Sequence, residues 1–198
     1  MYLPTPIANE VEAYVTAFMK NLPEGLHFHN LAHTQEVAAA AVEIGTYLQL
    51  TDAEMEIVHI AAWFHDCGYC ITYMGHEHEG ALIAEKFLRA KGYGDDKIAQ
   101  VVACINATRF PQKPQTLVEE VICDADLYHF SRSDYNLHQA ALRNEWNLIF
   151  EKQYTDEEWD RMNYEMIQRH SYFTAYGKEV LEVWKHANLQ LLKNRLGE

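Results

Sequence analysis

The 198-residue sequence contains no apolar run long enough to cross a bilayer, and its first residues hold no basic segment leading into an apolar one. A membrane span and a cleaved export signal are therefore not expected. Cysteine is sparse: Cys67, Cys70, Cys104 and Cys123, without an export signal, read as reduced thiols, so the expected location is cytoplasmic. Basic residues are scarce too. Sixteen Lys and Arg against 29 Asp and Glu leave a formal charge of −13. That field repels nucleic-acid backbones and anionic lipid surfaces, which argues against nucleic acid and membrane as partners. A small anion remains admissible, because a bound cation with a few local bases reverses the field over a short distance. Convincing strand-like alternation is missing, as are repeats, low-complexity tracts and any linker able to divide the chain. One domain over residues 1–198 is the expectation, with its oligomeric state left open.

What is present is apolar and aromatic: 48% hydrophobic residues, among them 12 Tyr, 8 Phe and 4 Trp. That is enough surface for a sizeable core. Helical periodicity dominates, and capping-box pairs mark three starts: Asn9 with Glu12, Thr51 with Glu54, and Thr155 with Glu158. The first helix carries Val11, Tyr14, Val15, Phe18 and Leu22 on one face. Further helices are predicted near 30–50, 52–65, 77–91, 95–108, 117–127, 134–152, 155–172 and 176–196, punctuated by Gly68, Gly92, Pro111 and Pro114. The fold class is all-α, a helical bundle of about eight or nine helices. Trp146, Trp159 and Trp184 fall at helical spacing and read as core or packing anchors, and Cys104 and Cys123 as small core residues.

Asp66 carries the first chemical signal. It follows Ile60-Ala61-Ala62-Trp63-Phe64-His65, and an ionised carboxylate in such apolar company needs a cation or several donors. Neighbours on a helix point about 100° apart, so His65 and Asp66 reach one ion only if it lies over the helix edge. For the pair alone, a self-satisfied His-Asp hydrogen bond is an equal reading. Matching groups occur in His29-Asn30-Leu31-Ala32-His33 and in Cys123-Asp124-Ala125-Asp126-Leu127. Cys67 and Cys70 copy the spacing of a redox or zinc motif, but no second pair or βαβ context supports it.

The order of these elements resembles the HD superfamily: a His, then a His-Asp pair, then a distant Asp, from different helices. His29 to His33 reads His-Asn-Leu-x-His, similar to the family's His-Asn-Leu start leading to a second His, and His76-Glu77-His78-Glu79-Gly80-Ala81 matches its His-Glu-x-x-small-Ala element. The resemblance covers Leu26 to about Phe130, a motif-bearing core of 26–130 followed by C-terminal helices over 131–198. It implies an HD-type helical bundle and metal-dependent phosphohydrolase activity. It also implies metal ligands His33, His65, Asp66 and Asp126, the last chosen over Asp124 by the family's Ala-Asp pattern.

Two imidazoles and two carboxylates suit a divalent transition ion such as Mn, Fe, Co, Ni or Zn, whereas Mg prefers more oxygen ligands. Asp66 and His76 are the catalytic assignments, His76 as proton donor to a leaving group. Arg109 and Lys113 are the substrate-binding assignments, with Arg132 a weaker version of the same idea. A cation capping a helix C-terminus is the plain alternative for Arg109. His29, Asp124, Glu77 and His78 are assigned to touch and orient the ligands. A solvated helix start is the plain reading of His76 and His78; a second metal held partly by them is the sharper one. The expected partner is a small phosphorylated molecule, a nucleotide among them. An iron oxygenase with an HD-like di-metal site, or a non-catalytic metal or nucleotide sensor, are the competing functions.

Overall fold

The computed structural model describes residues 2–197, which form nine α-helices and no strand. They cluster into two compact units, Met1–Pro23 with His29–Asp126, and Glu24–Phe28 with Leu127–Glu198. None of the described helices is long and apolar enough to cross a membrane.

The first unit holds α1 (Pro6–Phe18), α2 (Leu31–Tyr47), α3 (Asp52–Phe64), α4 (His76–Ala90), α5 (Asp95–Ala107) and α6 (Leu117–Asp126). Its axis is α3, in which every residue from Met55 to Phe64 is buried and which packs on the other five. A helix apolar on all sides has no solvent face to offer, so it becomes the centre. The two polar side chains in its buried stretch, Glu56 and His59, are answered. Glu56 accepts from the Tyr93 hydroxyl at 2.7 Å and the Lys97 ammonium at 2.9 Å, while His59 Nε2 accepts from Trp63 Nε1 at 3.1 Å. The Thr51–Glu54 capping box forms as the sequence indicates, worth about 1 kcal/mol.

The second unit holds α7 (Tyr135–Ile149), α8 (Asp156–Arg169) and α9 (Glu182–Arg195), around a core of Phe130, Tyr135, Ile167 and Leu192. The Thr155–Glu158 box again forms.

Several sequence expectations need correction. The first helix starts at Pro6 rather than at an Asn9–Glu12 box. Thr5 is the cap, its hydroxyl accepting from Ala8 N, and proline suits the first helical position, where no N–H partner is lost. Helix α8 ends at Arg169, short of Tyr172. Leaving the helix there lets Tyr172 bury itself and donate to the Leu127 carbonyl at 3.1 Å. The last helix opens with a π-type turn over Gly177–Leu181. Trp184 is no packing anchor, being 61% exposed. The buried face of α9 is Lys185, Asn188 and Leu192, and Asn188 donates to the Phe130 and Arg132 carbonyls at 2.8 Å each, which turns Trp184 outward. Trp159 is buried, and Cys104 and Cys123 are buried free thiols.

Candidate metal centre

His33 sits in the first turn of α2, which Asn30 caps: its side-chain oxygen accepts from Ala32 N at 2.9 Å and His33 N at 3.3 Å. His65 is the C-cap of α3, and Asp66 has left the helix, with φ −100° and ψ 1°. The pair therefore does not lie on one regular helix. That departure from helical geometry lets two adjacent side chains converge. Asp126, the last residue of α6, comes from a third element.

Their ligand atoms meet. His33 Nε2 is 3.6 Å from Asp66 Oδ2 and 3.4 Å from Asp126 Oδ1; His65 Nε2 is 3.2 Å from Asp66 Oδ2 and 3.6 Å from Asp126 Oδ1. His33, His65 and Asp66 are buried, with one donor atom from each inside a 4.8 Å cluster. His65 Nδ1 bonds the Ala62 carbonyl at 2.8 Å, which assigns its proton there and turns Nε2 to the cluster. Yet His65 Nε2 and Asp66 Oδ2 have no hydrogen-bond partner: at 3.2 Å they approach from directions unsuited to a hydrogen bond. The two side chains meet as a close ion pair rather than as an aligned hydrogen bond. Two orphaned buried atoms facing each other are what a shared cation would satisfy, and the N/O donor set fits a divalent transition ion.

Electrostatics points the same way. Burial disfavours the imidazolium of His65, but the carboxylates of Asp66 and Asp126 outweigh it and push its pKa up to about 9. Burial likewise opposes ionisation of Asp66, and His65, His29 and His33 overcome it, holding the carboxyl well below the usual range. The cluster demands positive charge, which a proton on His65 supplies when no ion does.

The start of α4 closes the site. His76 Nδ1 bonds the Tyr73 carbonyl at 3.1 Å, and its Nε2 lies 3.6 Å from Asp66 Oδ1. Glu77 Oε2 is 3.8 Å from His76 Nδ1. The Tyr69 ring is stacked between His29, 4.3 Å away, and His76, 3.8 Å away. Two glycines permit this approach. A Cβ at Gly68 would lie 1.9 Å from the His76 carbonyl oxygen, and one at Gly80 2.9 Å from that of Phe64.

Of the remaining predicted residues, Asp124 is fully buried. His78 is exposed on α4, and no contact joins it to the four ligands; among the described residues no second group of three metal-binding side chains forms. Arg109 and Lys113 are exposed, in the loop after α5, and make no ion pair. Sequence reasoning missed Gln112 between them. Its Nε2 donates to Asp126 Oδ2 at 3.3 Å, tethering this loop to the centre, while its Oε1 is buried without a partner. It also missed Tyr69. The only available signals were an amide between two basic residues and an aromatic three positions past Asp66.

The HD domain family matches residues 30–131. No curated protein matches the sequence. Solved structures sharing the fold include a predicted HD superfamily hydrolase from an uncultured Thermotogales bacterium. It is 18% identical with a TM-score of 0.66, over 96% of this chain and 91% of that one. A protein from Lactobacillus plantarum is 15% identical with a TM-score of 0.64, over 98% of this chain and 96% of that one. The family match spans more than half of the sequence and contains the whole His33, His65, Asp66 and Asp126 cluster, so the chain belongs to the HD domain family.

Proposed function

We propose that this chain is a metal-dependent phosphohydrolase acting on a small phosphate ester or anhydride, with nucleotides as the first substrate class to test. The observation carrying this reading is the convergence of buried His33, His65 and Asp66 with the partly exposed Asp126, two ligand atoms being left unpartnered. The likeness to a protein described as a predicted HD superfamily hydrolase supports it.

A divalent ion held by these four residues would supply Lewis acidity at a phosphoryl oxygen and a hydroxide near neutral pH. The remaining roles belong to the chain. His65 is held by Ala62 so that Nε2 stays available, and Gln112 restrains Asp126. His76, fixed through Nδ1, holds Nε2 toward Asp66 and in its protonated form can hand a proton to a leaving group. Arg109 and Lys113, free of ion pairs on the loop tethered by Gln112, offset phosphate charge. A reducing cytoplasm suits the four free thiols.

The test is a panel of nucleoside mono-, di- and triphosphates, cyclic nucleotides and simple phosphate esters, assayed with Mn, Fe, Co, Ni, Zn or Mg. Hydrolysis that a chelator abolishes and Mn or a similar ion restores is the expected result. Oxygen consumption by the iron-loaded protein without hydrolysis would assign an oxygenase instead. Tight nucleotide binding with no turnover would assign a sensor.

A further inference from the structure

Given the metal centre read above, we propose that Tyr172 and Glu145 of the C-terminal unit are positioning residues for it, each fixing backbone that runs directly into an element carrying a ligand. The chain passes between the two units at Phe28–His29 and at Asp126–Leu127. Asp126 is itself a ligand, and His29 directly precedes the Asn30 cap of α2, the helix that carries His33 in its first turn.

Asp126 is the ligand in most need of restraint. Its side chain is 19% exposed, where those of His33, His65 and Asp66 are 5% or less. It also ends α6, where helix carbonyls lose their regular partners. The carbonyl of Leu127, next along the chain, accepts from Phe130 N at 3.1 Å and from the Tyr172 hydroxyl at 3.1 Å. One planar peptide joins Leu127 to Asp126, so few soft dihedrals remain to absorb a shift. Tyr172 is a firm anchor. It is 1% exposed, with the His170 ring edge-on at 4.6 Å and the Lys185 ammonium over its own ring at 5.4 Å.

Glu145 acts at the other crossing. Its side chain is fully buried on α7, a costly place for a carboxylate unless donors meet it, and it accepts from Phe28 N at 2.9 Å. A Cβ on Gly25 would lie 3.1 Å from Leu148 of the same helix, so the segment before α2 runs along α7. Phe28 is buried too, its ring edge-on to His129 at 5.1 Å. The chain thus enters the helix of His33 from a fixed point.

The experiment titrates the full-length protein with Mn and, separately, with Co, whose visible absorption reports the geometry of its ligands. Tyr172→Phe deletes only the hydroxyl. Its control is Tyr135→Phe, which deletes a buried hydroxyl of the same unit that donates to the Asn163 side chain at 2.7 Å and holds no backbone beside a ligand. Both variants should lose similar thermal stability. Only Tyr172→Phe should shift the cobalt bands and weaken Mn binding, by about fivefold, as loss of one hydrogen bond would. Glu145→Met cuts the other tether and should shift the bands as well; unchanged bands there would overturn the role of Glu145. Bands and affinity unchanged in Tyr172→Phe, or changed alike in Tyr135→Phe, would overturn the role of Tyr172 while leaving the metal centre intact. A wild type that takes up neither ion would instead overturn the metal centre, and the positioning roles with it.

Discussion

Gly68 and the carbonyl oxygen of His76 are so close that a methyl group on Gly68 would lie 1.9 Å from that oxygen. The contact is backbone, which no rotamer change relieves. It explains how α4 comes close enough for His76 to face Asp66.

Gly68→Ala should therefore force α4 away from the end of α3. The expected loss is about 1–3 kcal/mol, the range for overpacking, or several degrees of melting temperature for a chain of this size. Gly94→Ala is the control, since nothing lies within 4 Å of a Cβ there and its φ is ordinary. Equal melting of both variants in thermal denaturation would contradict the packing argument.

The two acids of α6 should not be interchangeable. Asp126 Oδ1 faces His33 and His65, whereas Asp124 is fully buried. Asp126→Asn should lose bound metal far more severely than Asp124→Asn, measured as metal per chain after dialysis. Similar losses, or the reverse order, would place the ligand wrongly.

Gln112 gives a graded version of the same test. Replacing it with Leu removes the donor to Asp126 but leaves all four ligands, so affinity for Mn should fall by about 10–100-fold, the range for losing a side chain that orients a ligand. Calorimetric titration of wild type and variant reads this directly; unchanged affinity would show that Asp126 needs no restraint.

Acid should weaken the first unit through His59. Burial lowers its pKa from 6.5 to about 4, and its Nε2 must stay unprotonated to accept from Trp63. Above pH 6.5 both folded and unfolded states are neutral at this residue. Below it the unfolded chain takes the proton first, so stability falls as pH drops toward about 4, by about 3 kcal/mol in all. His59→Gln removes that titration and should lose less stability than wild type between pH 7 and 4.5, read from denaturant unfolding. Parallel pH profiles would refute it.

The helices were legible because their punctuation is local: Thr51 with Glu54 and Thr155 with Glu158 cap their helices as their spacing indicates. Trp184 was misread because periodicity records apolar residues, whereas the register of α9 is set by Asn188 reaching carbonyls more than 50 residues away. Asp66 was legible as a costly acid in an apolar run. Its convergence with His65 was expected from the resemblance, but the means was not, since it depends on backbone that departs from the helix, as Gln112 depends on a loop returning to Asp126.

The central claim is that His33, His65, Asp66 and Asp126 hold one divalent ion. Anomalous diffraction from crystals of the Mn-loaded protein, recorded at the Mn edge, tests it most directly. The account predicts a peak coordinated by His33 Nε2, His65 Nε2 and carboxylate oxygens of Asp66 and Asp126. No peak there at full Mn loading, or a peak on other residues, would contradict it.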